Sequence, residues 1–112
     1  MALVCLALGQ AQAATLKEAR ELYATGEYAK AIKASEQAIA ADEYDSGWRL
    51  LLLRGQLATG AYPEAKRFAT QLLEDYKYRY NAEALWLFHL AYEANGDTEP
   101  AGQMLQIIMQ FL

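Results

Sequence analysis

Apolar positions in this chain return every three or four residues, the spacing of a helix face and not of a strand. Ala31, Ile32, Ser35, Ala38 and Ile39 fall on one such face. The pattern predicts six helices in three pairs. The first spans 15–24, where Thr15 followed by Glu18 forms a capping-box sequence. The second spans 28–41 and the third 47–58, with residues 42–46 as the turn between them. The fourth carries Pro63 in its first turn, where a missing N–H costs nothing, and continues through Leu72 and Leu73 to about Tyr76. The fifth spans 82–94. The sixth has Pro100 in its first turn and runs to the end of the chain. Gly26, Gly60 and Asn95-Gly96 separate the two members of each pair, because glycine accepts the left-handed conformation of a tight helix end. No linker or low-complexity stretch interrupts the pattern.

The three pairs are copies of one unit. The run Gly26-Glu27-Tyr28-Ala29-Lys30-Ala31 returns 34 residues later as Gly60-Ala61-Tyr62-Pro63-Glu64-Ala65, and Ile39 returns as Leu73. A third copy, Gly96-Asp97-Thr98-Glu99-Pro100-Ala101, arrives two residues late. The period and the motif resemble the tetratricopeptide repeat, a helix-turn-helix unit of this length. The resemblance covers about residues 14–112, as repeats over 14–45, 46–80 and 81–112. It rests on Ala19, Gly26, Tyr28, Ala31, Ala38 and Asp42, then Leu52, Gly60, Tyr62 and Ala65, then Leu85, Phe88, Tyr92, Gly96 and Ala101. It implies an all-α fold: three tandem helix-turn-helix repeats forming a short right-handed solenoid, each pair buried by its neighbours. The small residues Ala19, Ala31, Ala38, Ala65 and Ala101 would let helices approach closely, with Tyr28 and Tyr62 filling space inside a repeat. The sequence departs from the family at Leu53 and His89, where a small residue is usual, and at Arg49, where a large apolar residue is usual and Trp48 stands beside it. The family's proline after the second helix is absent, and the two-residue insertion falls around Tyr76 to Tyr80.

The resemblance also implies a concave surface lined by the first helix of each pair. Helical spacing places Leu16, Arg20 and Tyr23 on it, then Leu50, Arg54 and Leu57, then Trp86, Leu90 and Glu93. Arg20 and Arg54, one repeat apart, are expected side by side, where two guanidinium groups could fork onto a carboxylate. Tyr23 and Trp86 would be aromatic anchors. The alternative is that both arginines pair with nearby glutamates and Trp86 is core. The lysine and asparagine positions with which some family members clamp a terminal carboxylate do not match here. The expected function is a non-catalytic scaffold or adapter that binds a protein or peptide in this groove. The competing reading is an N-terminal repeat segment of a larger exported enzyme whose catalytic domain is not in this chain.

Composition narrows the remaining choices. A chain of 112 residues suffices for one domain. It is 54% hydrophobic, yet no stretch reaches the length of a membrane span. The net charge of −4 argues against nucleic acid as a partner. Asp75-Tyr76-Lys77-Tyr78-Arg79-Tyr80 interleaves aromatic and basic residues, a combination that can stack bases, but with two cations it reads as an inter-repeat connector. One histidine, His89, serves the whole chain and reads as a packed residue. No metal-binding, thiol or phosphate-loop motif is present, so neither an enzyme, a metal nor a cofactor is expected.

Residues 1–13 form a short apolar run ending in Ala11-Gln12-Ala13, the small-x-small pattern of a secretory cleavage site, without a charged start. This reads as a truncated signal peptide and implies an exported protein, bacterial periplasmic or secreted; the alternative is an apolar helix packed on the first repeat. Cys5, the single cysteine, lies inside this run, so the remainder carries no thiol. At the other end Met104, Leu105, Ile107, Ile108, Met109, Phe111 and Leu112 make the last helix apolar nearly all round. Leu105, Ile108 and Leu112 are expected to be exposed in the isolated segment. Further repeats of a longer chain would cover them, or a second protomer through self-association.

Overall fold

The structure is a computed structural model that describes residues 13–111. The leader reading of residues 1–12, with Cys5, and the expectation for Leu112 lie outside the described residues. The described residues form seven helices and no strand: α1 Leu16–Ala24, α2 Tyr28–Ala40, α3 Ser46–Ala58, α4 Tyr62–Leu72, α5 Tyr76–Arg79, α6 Ala82–Ala94 and α7 Thr98–Met109. The fold is all-α, with neighbouring helices packed against each other. No helix among the described residues is long and apolar enough to cross a membrane.

The turn inside each helix pair has the same construction three times. Gly26, Gly60 and Gly96 adopt φ of 85°, 79° and 79°. A Cβ at any of them would meet nothing within 4 Å, so the demand for glycine is conformational and not steric. The residue after each glycine donates its N–H five residues back: Glu27 to the Leu22 carbonyl at 2.8 Å, Ala61 to Gln56 at 2.9 Å and Asp97 to Tyr92 at 2.9 Å. These bonds satisfy carbonyls that the helix end would otherwise leave open. The same residue then accepts the first bond of the next helix, from Ala31, Ala65 and Ala101 respectively. All three alanines are buried, as close packing of the paired helices requires.

The ends of the second helices are closed differently. After α2, Asp42 takes φ of 62°, and Glu43 N–H reaches the Ala38 carbonyl at 3.0 Å. Arg49 then donates to the Glu43 carbonyl at 3.0 Å. The helix expected to run to about Tyr76 stops at Leu72, and a separate single turn, α5, fills the insertion. Two side chains explain the break. Asp75 caps α5 by accepting the Lys77 N–H, while Arg79 donates through Nε to the Leu73 carbonyl at 2.6 Å and through Nη2 to the Glu74 carbonyl at 3.1 Å. Asn81 caps α6 by accepting the Ala84 N–H.

The chain divides into two compact units, residues 1–51 and 52–112, with the boundary inside α3. In the first unit, Ala19, Trp48 and Leu51 form a core on which Leu16, Tyr23, Ala34, Ala38 and Ile39 pack. Trp48 is thus the buried neighbour and Arg49 the half-exposed one. Gly47 permits a close approach: a methyl group there would come 2.7 Å from Arg20 Nη2 and 2.8 Å from Leu16 Cδ2. The Tyr23 and Tyr28 rings meet at 5.2 Å between α1 and α2. In the second unit, α6 packs on α7, α4 and α5. Thr70 and Tyr92 share a hydroxyl hydrogen bond of 3.0 Å, Asn95 Nδ2 donates to the Tyr62 and Ala91 carbonyls, and Lys66 pairs with Asp97 at 2.6 Å. Tyr62 does not fill space as Tyr28 does: its side chain is 42% exposed, and its contribution is the carbonyl that Asn95 holds.

Two stability outcomes follow from these turns. Gly60→Ala forces an L-residue into the left-handed region and should cost about 1–2 kcal/mol, whereas Asp42→Gly relieves that strain and should gain a few tenths to about 1 kcal/mol. Urea denaturation of both variants checks the opposite signs.

The capping box of α1 makes a pH prediction. Thr15 N–H donates to Glu18 Oε1 at 2.8 Å, and Glu18 N–H donates to Thr15 Oγ1 at 3.1 Å. The first of these bonds, to the Thr15 backbone, is the main reason that the Glu18 carboxyl lies below its ordinary 4.5. A folded-state value that is depressed stabilises the helix start above the unfolded value, and the benefit disappears as pH falls through the folded value. Carboxyl-carbon NMR titration should place Glu18 below its ordinary 4.5, and Thr15→Pro, which removes the donating N–H, should raise it back toward that value.

Candidate functional site

On α6, Glu83, Trp86, Leu90 and Glu93 are spaced by three and four residues and so share one face. Arg54 of α3 joins this face through a 2.6 Å ion pair between its Nη2 and Glu83 Oε2. The pair is partly exposed at both ends, so its effect is on position more than on stability. Leu57, three residues after Arg54, and Leu90 are half-buried.

Trp86 is the exposed aromatic of this face, with 47% of its surface accessible. It is not core. Its ring stacks on the imidazole of His89 at 5.1 Å and 28°. His89 is itself buried, and its Nδ1 lies 2.9 Å from the Ala101 carbonyl oxygen in α7. A carbonyl only accepts, so Nδ1 carries the proton and the ring orientation is fixed. Nε2 then points toward Glu93 Oε2 at 3.5 Å. The larger residue at position 89 therefore ties α6 to α7 and serves as a platform for Trp86.

The remaining expected groove residues sort differently. In the first unit, Arg20 is exposed on α1 with its guanidinium over Gly47, and makes no ion pair among the described residues. Leu16 packs on the core, and Tyr23 is half-buried against Tyr28. Leu50 is a correction. It is only 5% accessible, so it belongs to the interior and offers nothing to a ligand. Arg54 is committed to Glu83, a partner that helical spacing did not single out. The C-terminal expectation also needs correction: Leu105 and Ile108 are half-buried, and the exposed apolar residues of that end are Met109, at 67%, and Phe111.

The aromatic-basic stretch has its cations engaged locally. Lys77 lies 3.7 Å from Asp75 and over the Tyr78 ring, and Arg79 donates to backbone carbonyls. Tyr76 and Tyr80 are exposed, but Tyr78 is buried. Sequence reasoning missed a cleft of 420 Å³ in the first unit, lined among others by Thr15, Leu16, Ala38, Glu43, Asp45 and Trp48. Ala13, Ala14, Ala34 and Ala41 also line it, and alanines carry no distinguishing pattern. Among the described residues, no group of three or more histidine, cysteine, aspartate or glutamate side chains could hold a metal ion.

No protein-family model matches the sequence, and neither a curated protein nor a solved structure matches it.

His89→Leu removes the bond to Ala101 and the platform under Trp86. It should cost about 0.5–1.5 kcal/mol, the net worth of an intramolecular hydrogen bond. Chemical denaturation measures the cost, and Trp86 fluorescence should report altered surroundings of the indole even under native conditions.

Proposed function

We propose that this chain is a non-catalytic binding scaffold of tetratricopeptide-like repeats, and that it holds a peptide or protein segment against the first helices of its pairs. Two features support the repeat reading: the period in the sequence and the threefold recurrence of one glycine turn. The observation that carries the binding reading is Trp86, an exposed indole seated on a buried, hydrogen-bonded histidine. Fixed aromatic side chains lose little freedom on binding and dominate interface energies. Leu57 and Leu90 extend the apolar strip, while the Arg54–Glu83 pair and Glu93 give it a polar rim. The ligand this chemistry favours is a segment with one apolar or aromatic anchor and a nearby donor for Glu93. In this reading residues 1–13 are an export leader and the partner is a periplasmic or secreted protein.

Selection of random peptides by surface display, followed by affinity measurement on the enriched sequences, tests the reading. Trp86→Ala should weaken binding about tenfold or more, equivalent to at least ~1.4 kcal/mol, with helical circular dichroism unchanged. Tyr44→Ala, at a fully solvated loop position, should have no effect. Failure to enrich any peptide, or equal binding by the Trp86 variant, would overturn it.

A further inference from the structure

His89 and Glu93 leave a gap in the hydrogen bonding of the Trp86 face. His89 Nδ1 donates its proton to the Ala101 carbonyl at 2.9 Å. In the neutral ring the other nitrogen, Nε2, is therefore a bare acceptor. It faces a second acceptor, Glu93 Oε2, at 3.5 Å. A proton shared between the two would draw them to about 2.7–2.9 Å, the length of a charged N–H···O bond. The longer spacing is that of two lone pairs with no donor between them.

The imidazole cannot turn away to find another partner. Its side chain is 7% accessible and is held between the α7 carbonyl and the Trp86 ring. Glu93, by contrast, is exposed, and it makes no ion pair with a lysine or arginine among the described residues. Most cations of the second unit are engaged elsewhere: Arg54 on Glu83, Lys66 on Asp97, Lys77 on Asp75 and Arg79 on backbone carbonyls. Arg67, on α4, is exposed and unpaired among the described residues. The α6 face thus sets the carboxylates of Glu83 and Glu93 against the one guanidinium of Arg54, and a negative charge is left over. A metal ion does not fit, since no group of three or more ligating side chains exists among the described residues.

The group that fits is positively charged, carries several N–H donors and is flat enough to lie against an indole. An ammonium meets the first two requirements. A guanidinium meets all three, because its N–H groups radiate in the plane that stacks on the ring. The indole and imidazole centroids are 5.1 Å apart, so a group bonded to Nε2 is within reach of the indole as well. Leu90 lies between Trp86 and Glu93 on the same face and offers an apolar bed for the methylenes of an arginine side chain.

We propose that Trp86, His89 and Glu93 form an arginine-recognition site. The guanidinium lies against the indole and donates to His89 Nε2 and Glu93 Oε2 together. The inference rests on the reading of this face as a peptide-binding surface, and it names the side chain that the bound segment presents.

Nitrogen-15 NMR of the full chain at neutral pH tests the premise. His89 Nε2 should show the shift of an unprotonated ring nitrogen, and a protonated Nε2 would overturn the proposal. Titration with acetyl-arginine methylamide tests the site. The compound should move the Trp86 indole and His89 Nε2 resonances together and saturably. Its citrulline counterpart, of the same shape without the charge, should bind at least about tenfold more weakly, and Glu93→Gln should weaken the arginine compound about tenfold. Glu93 is exposed, so that variant should keep the helical spectrum. Equal binding of the two compounds, or an arginine titration indifferent to Glu93→Gln, would overturn the proposal. The peptides enriched by display separate it from the broader reading. Trp86-dependent peptides that lack arginine would sink this site and leave the scaffold standing. A successful arginine titration with no peptide enriched would support the site and remove the scaffold.

Discussion

The arrangement rests on a single backbone requirement, a residue in the left-handed region two positions past the last residue of the first helix of each pair. That conformation turns the chain while letting the next N–H reach back to a carbonyl five residues earlier. Without it, the helix end would leave carbonyls open, and the second helix would leave at another angle. Everything downstream inherits the geometry of this turn. The alanine five residues past each glycine must be small, because the turn delivers it onto the first helix. The side chains of the first helix are then divided into those facing their partner and those left outside.

Features that depend on local chemistry were legible in the sequence. The Thr15–Glu18 box, the three glycine turns and the limits of α1, α2, α3 and α6 lie within a residue or so of where periodicity and capping put them. Local side-chain hydrogen bonds explain the main exception. Nothing in the apolar pattern ends α4 at Leu72, but Asp75 and Arg79 offer the backbone better partners than a continued helix would. Burial was less legible than helicity. Leu50 and Leu57 have the same residue type and the same assigned face, yet one is interior and the other half-exposed. Tyr28 and Tyr62 are exact counterparts in the repeat, but only Tyr28 finds a ring to pack on. The contact between Arg54 and Glu83 spans 29 positions, a distance at which periodicity within one helix carries no information.

In the proposed function, the link between His89 and Trp86 joins packing to recognition. A small residue at 89 would let α6 and α7 approach, but would leave the indole without support. The imidazole keeps the helices in contact through the Ala101 carbonyl and holds one ring at stacking distance. An anchor immobilised before its ligand arrives does not have to be ordered on binding, which preserves affinity. The sequence displays both residues at a three-residue spacing. It does not display the carbonyl that determines which nitrogen carries the proton.

Arg79 has a consequence for genetics. It stands in a run of tyrosines and cations in which Tyr78 is buried and the others are exposed, and a screen for loss of function would score a change there as the loss of a contact made to some partner. Its guanidinium instead donates to the carbonyls of Leu73 and Glu74, just beyond α4. A lysine in its place would keep the charge and lose the planar two-bond geometry. Charge conservation and phenotype should therefore dissociate at this position. A null allele at codon 79 would report a misplaced connector and not a lost contact with a partner.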